Sequence, residues 1–166
     1  MISMELKGGI PAGIALMNHS LLTPGSGIEK VFSTNVFGTF YFCREVAKLM
    51  SKAHAGSIVN FSTVASPLDL AGEAIYAASK AAVEKLSTIM AKEFGDMGIR
   101  VNCIGPSPIK TYLIKNVGEE KLQELLNQQA IKEFGEMKDV KNVIDFFISN
   151  ESSQITGQKI YLGGVF

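Results

Sequence analysis

Three short apolar segments, each long enough for one strand, alternate with longer helical segments along this chain. The strand-like segments span 56–63, 100–104 and 159–162, and helices are predicted over 74–94 and 119–134 between them. Apolar runs of about four to eight residues are typical of buried strands, whereas helices need about ten residues or more. Consecutive parallel strands require a crossover of about a dozen residues, which the helical segments provide. The alternation therefore predicts an α/β fold in which helices flank a parallel sheet.

Further elements are predicted outside this central pattern. Helices are expected over 28–51 and 139–149, and residues 2–6 alternate in polarity as a short strand would. Within 28–51 the expected core residues are Val31, Phe32, Val46, Leu49 and Met50. An aromatic cluster in the same segment is expected to pack inside the protein rather than to form a binding platform; its members are Phe37, Phe40, Tyr41 and Phe42.

Length and charge limit the number of domains and the classes of partner. A chain of 166 residues is expected to form a single domain over 1–166. Its 16 basic and 16 acidic residues give a net charge of zero, and no basic run occurs. Neither nucleic-acid binding nor electrostatic attachment to a membrane is therefore expected. The apolar runs are too short and interrupted for a signal peptide or a membrane span, so a cytoplasmic location is expected.

The two cysteines are expected to be structural. Cys43 falls within a predicted helix and Cys103 within a predicted strand, so both are expected to be reduced core residues. Their spacing matches no metal-binding pattern, and no metal is expected.

Tyr76 and Lys80 are four residues apart in the predicted helix 74–94, which places both side chains on one face. A phenol ordinarily loses its proton near pH ~10, too high for acid–base work at neutral pH. A neighbouring ammonium favours the phenolate and lowers the phenol's pKa, so the pair is suited to proton transfer. The pair alone is weak evidence because tyrosine and lysine are common on helices, and a half-buried tyrosine beside a solvated lysine would look the same.

Two hydroxyl residues end the predicted strand 56–63, at the edge of the sheet where ligands of α/β proteins bind. Thr63 lies thirteen residues before Tyr76, and Ser62 directly precedes Thr63. Either hydroxyl could hydrogen-bond a substrate carbonyl and orient it, and the sequence leaves both open.

Five motifs occur in a fixed order: Asn35 before Gly38, the strand 56–63, Tyr76-x-x-x-Lys80, the segment 100–111 and the segment 156–164. This ordered set resembles the short-chain dehydrogenase/reductase family, and within it the branch of the 3-oxoacyl-[acyl-carrier-protein] reductases. The resemblance extends from about Gly13 to the C-terminus, which is nearly the whole chain.

The resemblance implies a proton-transfer site of four residues. In the family, the motif's tyrosine exchanges a proton with the substrate oxygen while hydride moves to or from a nicotinamide, and Tyr76 matches it. The family's lysine holds the nicotinamide ribose and lowers the tyrosine's pKa, and Lys80 matches it. Asn35 matches the asparagine that anchors a proton-relay water. Thr63 stands where the substrate-orienting residue is usually serine.

The resemblance also implies a loop that holds the nicotinamide. Pro106 belongs to this loop, and Ile109 and Thr111 match the residues that meet the carboxamide and the phosphate. Ser107 replaces the usual glycine, which would be costly if the backbone there adopted an unusual conformation. The implied cofactor is NADP or NAD, and the implied substrate is a small molecule with a carbonyl group.

The family's N-terminal half, with its glycine-rich pyrophosphate loop, cannot be assigned in the sequence. Gly9 and Gly13 resemble a degenerate loop of this kind, but only about twenty residues separate Gly13 from Asn35, too few for a βαβ unit. The expected fold is a partial Rossmann fold, a doubly wound parallel sheet missing its first βαβαβ half, with residues 1–12 as a replaced segment. Because the first remaining strand would have an uncovered edge and family members commonly pair, a homo-oligomer is expected.

Two functions are compatible with these residues. The first is an oxidoreductase that transfers hydride between NAD(P) and a carbonyl or secondary alcohol, of the 3-oxoacyl-thioester type by resemblance. Asn35, Tyr76 and Lys80 support it. The second is a catalytically inactive, truncated family member that acts as a partner or scaffold subunit, supported by the missing phosphate loop and by Thr63 and Ser107. A third explanation is that the chain is a piece of a longer gene product.

Overall fold

A computed structural model describes residues 13–110 and 118–165 of the chain. The first part holds helix α1 (Gly25–Phe32), a π-type turn (Ser33–Phe37) and helix α2 (Gly38–Met50), followed by strand β1 (Gly56–Phe61). A short helix α3 (Ala65–Leu68) and the long helix α4 (Ala74–Glu93) lead to strand β2 (Ile99–Gly105). Helices α5 (Glu119–Asn127) and α6 (Met137–Ile148) precede strand β3 (Lys159–Tyr161).

The three strands form one parallel sheet in the order β1-β2-β3. Ile58 of β1 lies opposite Val101 of β2, and Ile104 of β2 lies opposite Ile160 of β3. The predicted α/β fold and its three strands are thereby confirmed to within two residues at each end. Residues 2–6, predicted as a further strand, lie outside the described residues.

Helices cover both faces of the sheet. Successive side chains of each strand point to opposite faces, so neighbouring residues contact different helices. Ile58 packs on one face in an apolar cluster that includes Met90 of α4. Ser57, one residue earlier, turns to the other face, where its hydroxyl donates to the carbonyl oxygen of Phe147 on α6 at 2.8 Å. Phe147 is itself fully buried. Because both faces are covered, the ends of β1 and β2 and the side chains at those ends lie between helices.

The predicted helix 119–134 is too long, since α5 ends at Asn127. The next residues pair instead with the chain after β3: the Ala130 amide donates to Gly164 at 3.1 Å and the Ile131 amide to Gly163 at 2.9 Å. Backbone hydrogen bonds to a distant segment thus replace the helical ones. Such tertiary pairing is invisible to local helix propensity.

The predicted helix 28–51 is interrupted by the π-type turn Ser33–Phe37. In this wider turn the Gly38 amide donates to the carbonyl of Ser33, five residues earlier. Turns of this kind inside helices are frequent at functional sites. Asn35 lies in the middle of the turn and is completely buried.

The expected packing of the aromatic cluster is wrong for the described chain. Phe37, Tyr41 and Phe42 are 53%, 55% and 52% exposed. Leu49, predicted in the core, is 63% exposed, whereas Val31 is buried as predicted. The segment is helical as predicted, but its buried side is the side of Cys43 and Ala47. One face of α2 therefore presents aromatic side chains to solvent.

The remaining predictions concern isolated features. Cys43 and Cys103 are both buried and form no disulfide, which confirms their assignment as core thiols. Over residues 13–110 and 118–165, no group of three or more His, Cys, Asp or Glu side chains is placed to hold a metal ion. None of the helices described is long and apolar enough to cross a membrane.

Gly98 closes the turn between α4 and β2, and we expect alanine there to destabilise the fold. Its φ of +70° lies in the left-handed region, and a Cβ atom would overlap the carbonyl oxygen of His54. Backbone strain costs roughly 1–2 kcal/mol before the clash is counted, so Gly98→Ala should lower the free energy of unfolding by at least about 2 kcal/mol. Denaturant unfolding measures the loss. Gly95→Ala is the matched control because a Cβ atom at Gly95 meets nothing within 4 Å; equal effects of the two changes would contradict this account.

Candidate active site

A cavity of about 670 Å³ opens at the carboxyl ends of β1 and β2. Ligands of open parallel sheets bind at this edge. Most of the predicted site residues line the cavity, namely Ser62, Thr63, Tyr76, Lys80, Pro106 and Ile109. The structure therefore brings together residues that are up to 47 positions apart in sequence. Thr111, also predicted, lies outside the described residues.

Tyr76 and Lys80 lie one turn apart near the start of α4. Tyr76 is half-buried at the cavity wall, while Lys80 is buried and its ammonium donates to the carbonyl oxygen of Phe61 at 2.9 Å. Phe61 is the last residue of β1, so the ammonium is fixed to the end of the strand. Gly13 approaches from the opposite side, where a Cβ atom would lie only 3.2 Å from the Lys80 nitrogen. Lys80 thus has a defined position at the inner end of the cavity.

The electrostatics of this pair differ from the expectation. Burial raises the pKa of Tyr76 above its ordinary value; a hydrogen bond with Thr63 acts against burial, and the charge of Glu73 adds to it. Burial also lowers the pKa of Lys80. The expected lowering of the tyrosine pKa by Lys80 is therefore wrong for this structure, because desolvation of the phenolate is the largest effect on Tyr76 and raises its pKa. Tyr76 is a protonated phenol at neutral pH.

The two hydroxyl residues at the end of β1 have separate surroundings. Thr63 lies close enough to Tyr76 to lower the pKa of the phenol against the effect of burial, and its hydroxyl accepts from the Ala65 amide at 3.3 Å. The Ser62 hydroxyl donates to the buried carboxylate of Glu84 instead. The geometry favours Thr63 over Ser62 as the residue beside the phenol, because the Ser62 hydroxyl is already committed.

Glu84 is a buried carboxylate that the sequence analysis did not single out. Besides Ser62, its partners are Lys159, whose ammonium lies 3.1 Å from a carboxylate oxygen, and the hydroxyls of Tyr161 and Ser66. Burial alone would raise the pKa of Glu84, but these hydrogen bonds outweigh burial and lower it below 4.5. Glu84 lies four residues after Lys80, as Lys80 lies four after Tyr76, so all three share one face of α4. This spacing could have identified Glu84 from the sequence.

We expect Glu84→Gln to destabilise the protein in a pH-dependent way. At pH ~7 the change removes a charged acceptor from several donors, at a cost of roughly 1–3 kcal/mol in the free energy of unfolding. Because the folded pKa is lowered, the carboxylate's contribution is complete above the unfolded pKa of about 4.5 and is lost as the pH falls through the folded value. Denaturant unfolding at several pH values should therefore show a gap that closes in acid. Glu93→Gln, at the exposed end of α4, is the control; a gap that does not depend on pH would contradict the assignment.

Asn35 joins the backbone of Ile14 to helix α4. Its amide group donates to the Ile14 carbonyl at 3.0 Å and to the Ser79 hydroxyl at 2.9 Å, and its carbonyl oxygen accepts from the Ile14 amide at 2.8 Å. Ser79 in turn donates to the Tyr76 carbonyl at 2.7 Å. Asn35 therefore connects to the helical turn that carries Tyr76, and its side-chain amide is fully used by protein partners.

The loop after β2 forms one wall of the cavity. Serine at position 107 would be costly only if the backbone there adopted an unusual conformation, and it does not, because positive φ among the described non-glycine residues occurs only at His54 and Asp69. The buried Ser107 side chain occupies space left by Gly135, where a Cβ atom would overlap its hydroxyl. Ile109 pairs with Gly135 through a single parallel bridge. Serine is accommodated here by a glycine elsewhere in the chain.

Comparison with known proteins identifies the family of this arrangement. The family model described as enoyl-(acyl carrier protein) reductase matches residues 10–164. The chain belongs to the short-chain dehydrogenase/reductase family. The partial Rossmann fold predicted from the sequence is confirmed by its similarity to a solved 4-hydroxyisoleucine dehydrogenase complexed with NADH, at a TM-score of 0.85 and 32% identity. That match covers 92% of this chain and 65% of the dehydrogenase.

Two relatives place the chain within the family. It is 39% identical over 142 residues to the uncharacterized oxidoreductase YgfF of Escherichia coli, covering 82% of this chain and 58% of YgfF. It is 30% identical over 153 residues to the 3-oxoacyl-[acyl-carrier-protein] reductase FabG of Staphylococcus epidermidis, covering 92% of this chain and 63% of FabG. The chain thus spans less than two thirds of the length of either relative.

Proposed function

We propose that this chain carries the proton-transfer half of an NAD(P)-dependent oxidoreductase site that interconverts a carbonyl and a secondary alcohol. The observation that carries the proposal is the convergence of Thr63 and Tyr76 on one cavity, with Lys80 buried one turn along the same helix as Tyr76. Similarity to an NADH-bound dehydrogenase and to a 3-oxoacyl reductase supports the same class of reaction.

The chain's own residues have distinct roles in this proposal. Tyr76, protonated because burial raises its pKa, donates its proton to the substrate oxygen during reduction. Thr63 hydrogen-bonds that oxygen and orients the carbonyl. The Lys80 ammonium, fixed by the Phe61 carbonyl, stabilises the phenolate that remains. A nicotinamide, when bound, supplies or accepts the hydride. In the oxidation direction the phenolate takes the proton back.

The residues present fit the nicotinamide end of such a cofactor. Lys80 offers an ammonium donor at the inner end of the cavity, and Gly13 leaves room beside it, since a Cβ atom there would be within 3.2 Å of the nitrogen. Pro106 and Ile109 form the adjoining wall. These residues would hold a ribose hydroxyl and the carboxamide-bearing ring, and either NADP or NAD satisfies these contacts. The substrate would be a small carbonyl compound, as in the family.

The direct test is a turnover assay with the whole chain. We expect NADPH or NADH to be oxidised in the presence of simple ketones and 3-oxoacyl thioesters, followed by the absorbance of the reduced nicotinamide. The absence of turnover with either cofactor across such a panel would reject independent activity. It would favour the alternative role as a partner subunit.

The exposed aromatic face of α2 bears on a separate expectation, that of a homo-oligomer. Tyr41 is 55% exposed, stacks with Arg44 at 5.3 Å and meets the ring of Phe40 edge-on. Exposed aromatic residues clustered on one helix mark protein–protein contacts. We therefore propose that α2 mediates a homo-oligomer, which Tyr41→Glu should dissociate in sedimentation experiments; a monomeric wild-type chain would contradict this.

A further inference from the structure

Much of the cavity lining is apolar. Its walls include Leu68 and Leu70 after β1, Leu122 and Leu125 of α5, and Met137 and Val140 of α6. A volume of about 670 Å³ lies within the range of cavities that enclose drug-sized ligands, so it exceeds the needs of a nicotinamide ring alone. The rest of the space suits an acyl or alkyl chain rather than a compact polar molecule.

Glu73 is the charged group closest along the chain to the reacting phenol. It precedes the first residue of α4, three positions before Tyr76, so that both side chains lie on one face at the cavity. Glu73 is partly buried, which raises its pKa, while the charge of Lys121 acts in the opposite direction. The charge of Glu73 in turn raises the pKa of Tyr76. The two groups are therefore close enough to interact through the cavity.

Lys121 offsets the charge of Glu73 only in part, because the pKa of Glu73 is still raised. Among the described lining residues, Asp69 and Glu124 are also acidic, and Lys121 is an exposed cation on α5. The ammonium of Lys80, one turn along α4 from Tyr76, is held by the Phe61 carbonyl at 2.9 Å. The rest of the site offers a substrate apolar contacts and carboxylates, with Lys121 as its accessible cation.

We propose that the site takes an uncharged carbonyl compound with an apolar chain, and that Glu73 determines this specificity by excluding substrates that carry a carboxylate near the carbonyl. A carbonyl bound to Tyr76 would place such a carboxylate in the part of the cavity that Glu73 also lines. At an effective dielectric constant of about 20, repulsion between unit charges about 6 Å apart corresponds to more than a tenfold loss of affinity. The inference deepens the proposed function and rests on it for the position of the carbonyl.

Two ligands that differ by the charge of one carboxylate and by the methyl group that masks it test the proposal: 4-oxooctanoate and its methyl ester. We expect the whole wild-type chain to bind the ester at least about tenfold more tightly than the acid in ligand-observed NMR titrations. In Glu73→Gln the acid should gain affinity until the two Kd values agree within about threefold. Glu29→Gln, on the exposed surface of α1 and away from the cavity, should keep the wild-type ratio.

Three results would overturn the proposal: similar affinities for acid and ester in the wild type, an unchanged ratio in Glu73→Gln, or no binding of either ligand. Binding does not require turnover, so the outcome is separate from that of the redox function. Preferential binding of the ester without any oxidation of NADPH or NADH would reject the redox function and keep the specificity of the cavity. Equal turnover of acid and ester would keep the redox function and reject the role of Glu73.

Discussion

Replacing Tyr76 with phenylalanine is expected to lower kcat by roughly 10²- to 10⁴-fold, the usual contribution of a positioned general acid. The ring keeps its place at the cavity wall, and only the hydroxyl beside Thr63 is lost. Because the phenol acts on the substrate oxygen in the transition state, KM for the ketone should change by less than about threefold. Steady-state kinetics with NADPH or NADH measure both parameters.

The matched control for this change is Tyr41→Phe. Tyr41 is an exposed tyrosine on α2, remote from the cavity lining, and loss of its hydroxyl should leave kcat unaltered. A fall in kcat of less than about tenfold in Tyr76→Phe would mean that another group supplies the proton. In that case the roles given to Thr63 and Lys80 would fail together with that of Tyr76.

Asn35→Ala is expected to cause the largest loss of stability among the site variants. The change removes three hydrogen bonds and leaves the Ile14 amide and carbonyl without the partner that now holds them. Unpaired buried polar groups cost about 1–3 kcal/mol each, and water admitted to the site offsets part of the cost, so the free energy of unfolding should fall by roughly 2–4 kcal/mol. Denaturant unfolding followed by circular dichroism measures it.

A control amide is available on α6, where Asn142 is exposed and lies outside the site. Asn142→Ala should change the free energy of unfolding by less than about 0.5 kcal/mol. If Asn35→Ala were as stable as the wild type, Asn35 would not fasten the segment around Gly13 to the site.

The sheet and the position of the site could be predicted from the sequence because both depend on local patterns. The apolar runs of β1 and β2 and the spacing of Tyr76 and Lys80 are visible without knowledge of the rest of the chain. The end of α5 was missed because residues 130 and 131 pair with Gly163 and Gly164, more than thirty positions away. The exposed face of α2 was missed because the spacing of aromatic residues along a helix does not show which side of the helix faces the sheet.

The electrostatics of the site could not be predicted, because they depend on burial. Tyr76 beside Lys80 suggested a lowered phenol pKa, whereas desolvation raises it. Glu84 looked like one of many helical glutamates, yet it is buried beneath the site and holds Ser62. The environment of Ser107 depends on Gly135, which is distant in sequence. Each of these features is determined by long-range contacts.

The central claim, that the chain holds a nicotinamide cofactor against Tyr76 and Lys80, is tested most directly by titrating the whole chain with NADPH and with NADH and following nicotinamide fluorescence. We predict saturable binding of at least one cofactor with a Kd below about 1 mM. Lys80→Met should weaken that binding by about tenfold or more, the loss expected for a buried charged donor. Lys85→Met, an exposed change on the same helix, should have no effect. The absence of saturation by either cofactor at millimolar concentration, or equal binding by Lys80→Met and the wild type, would contradict the account.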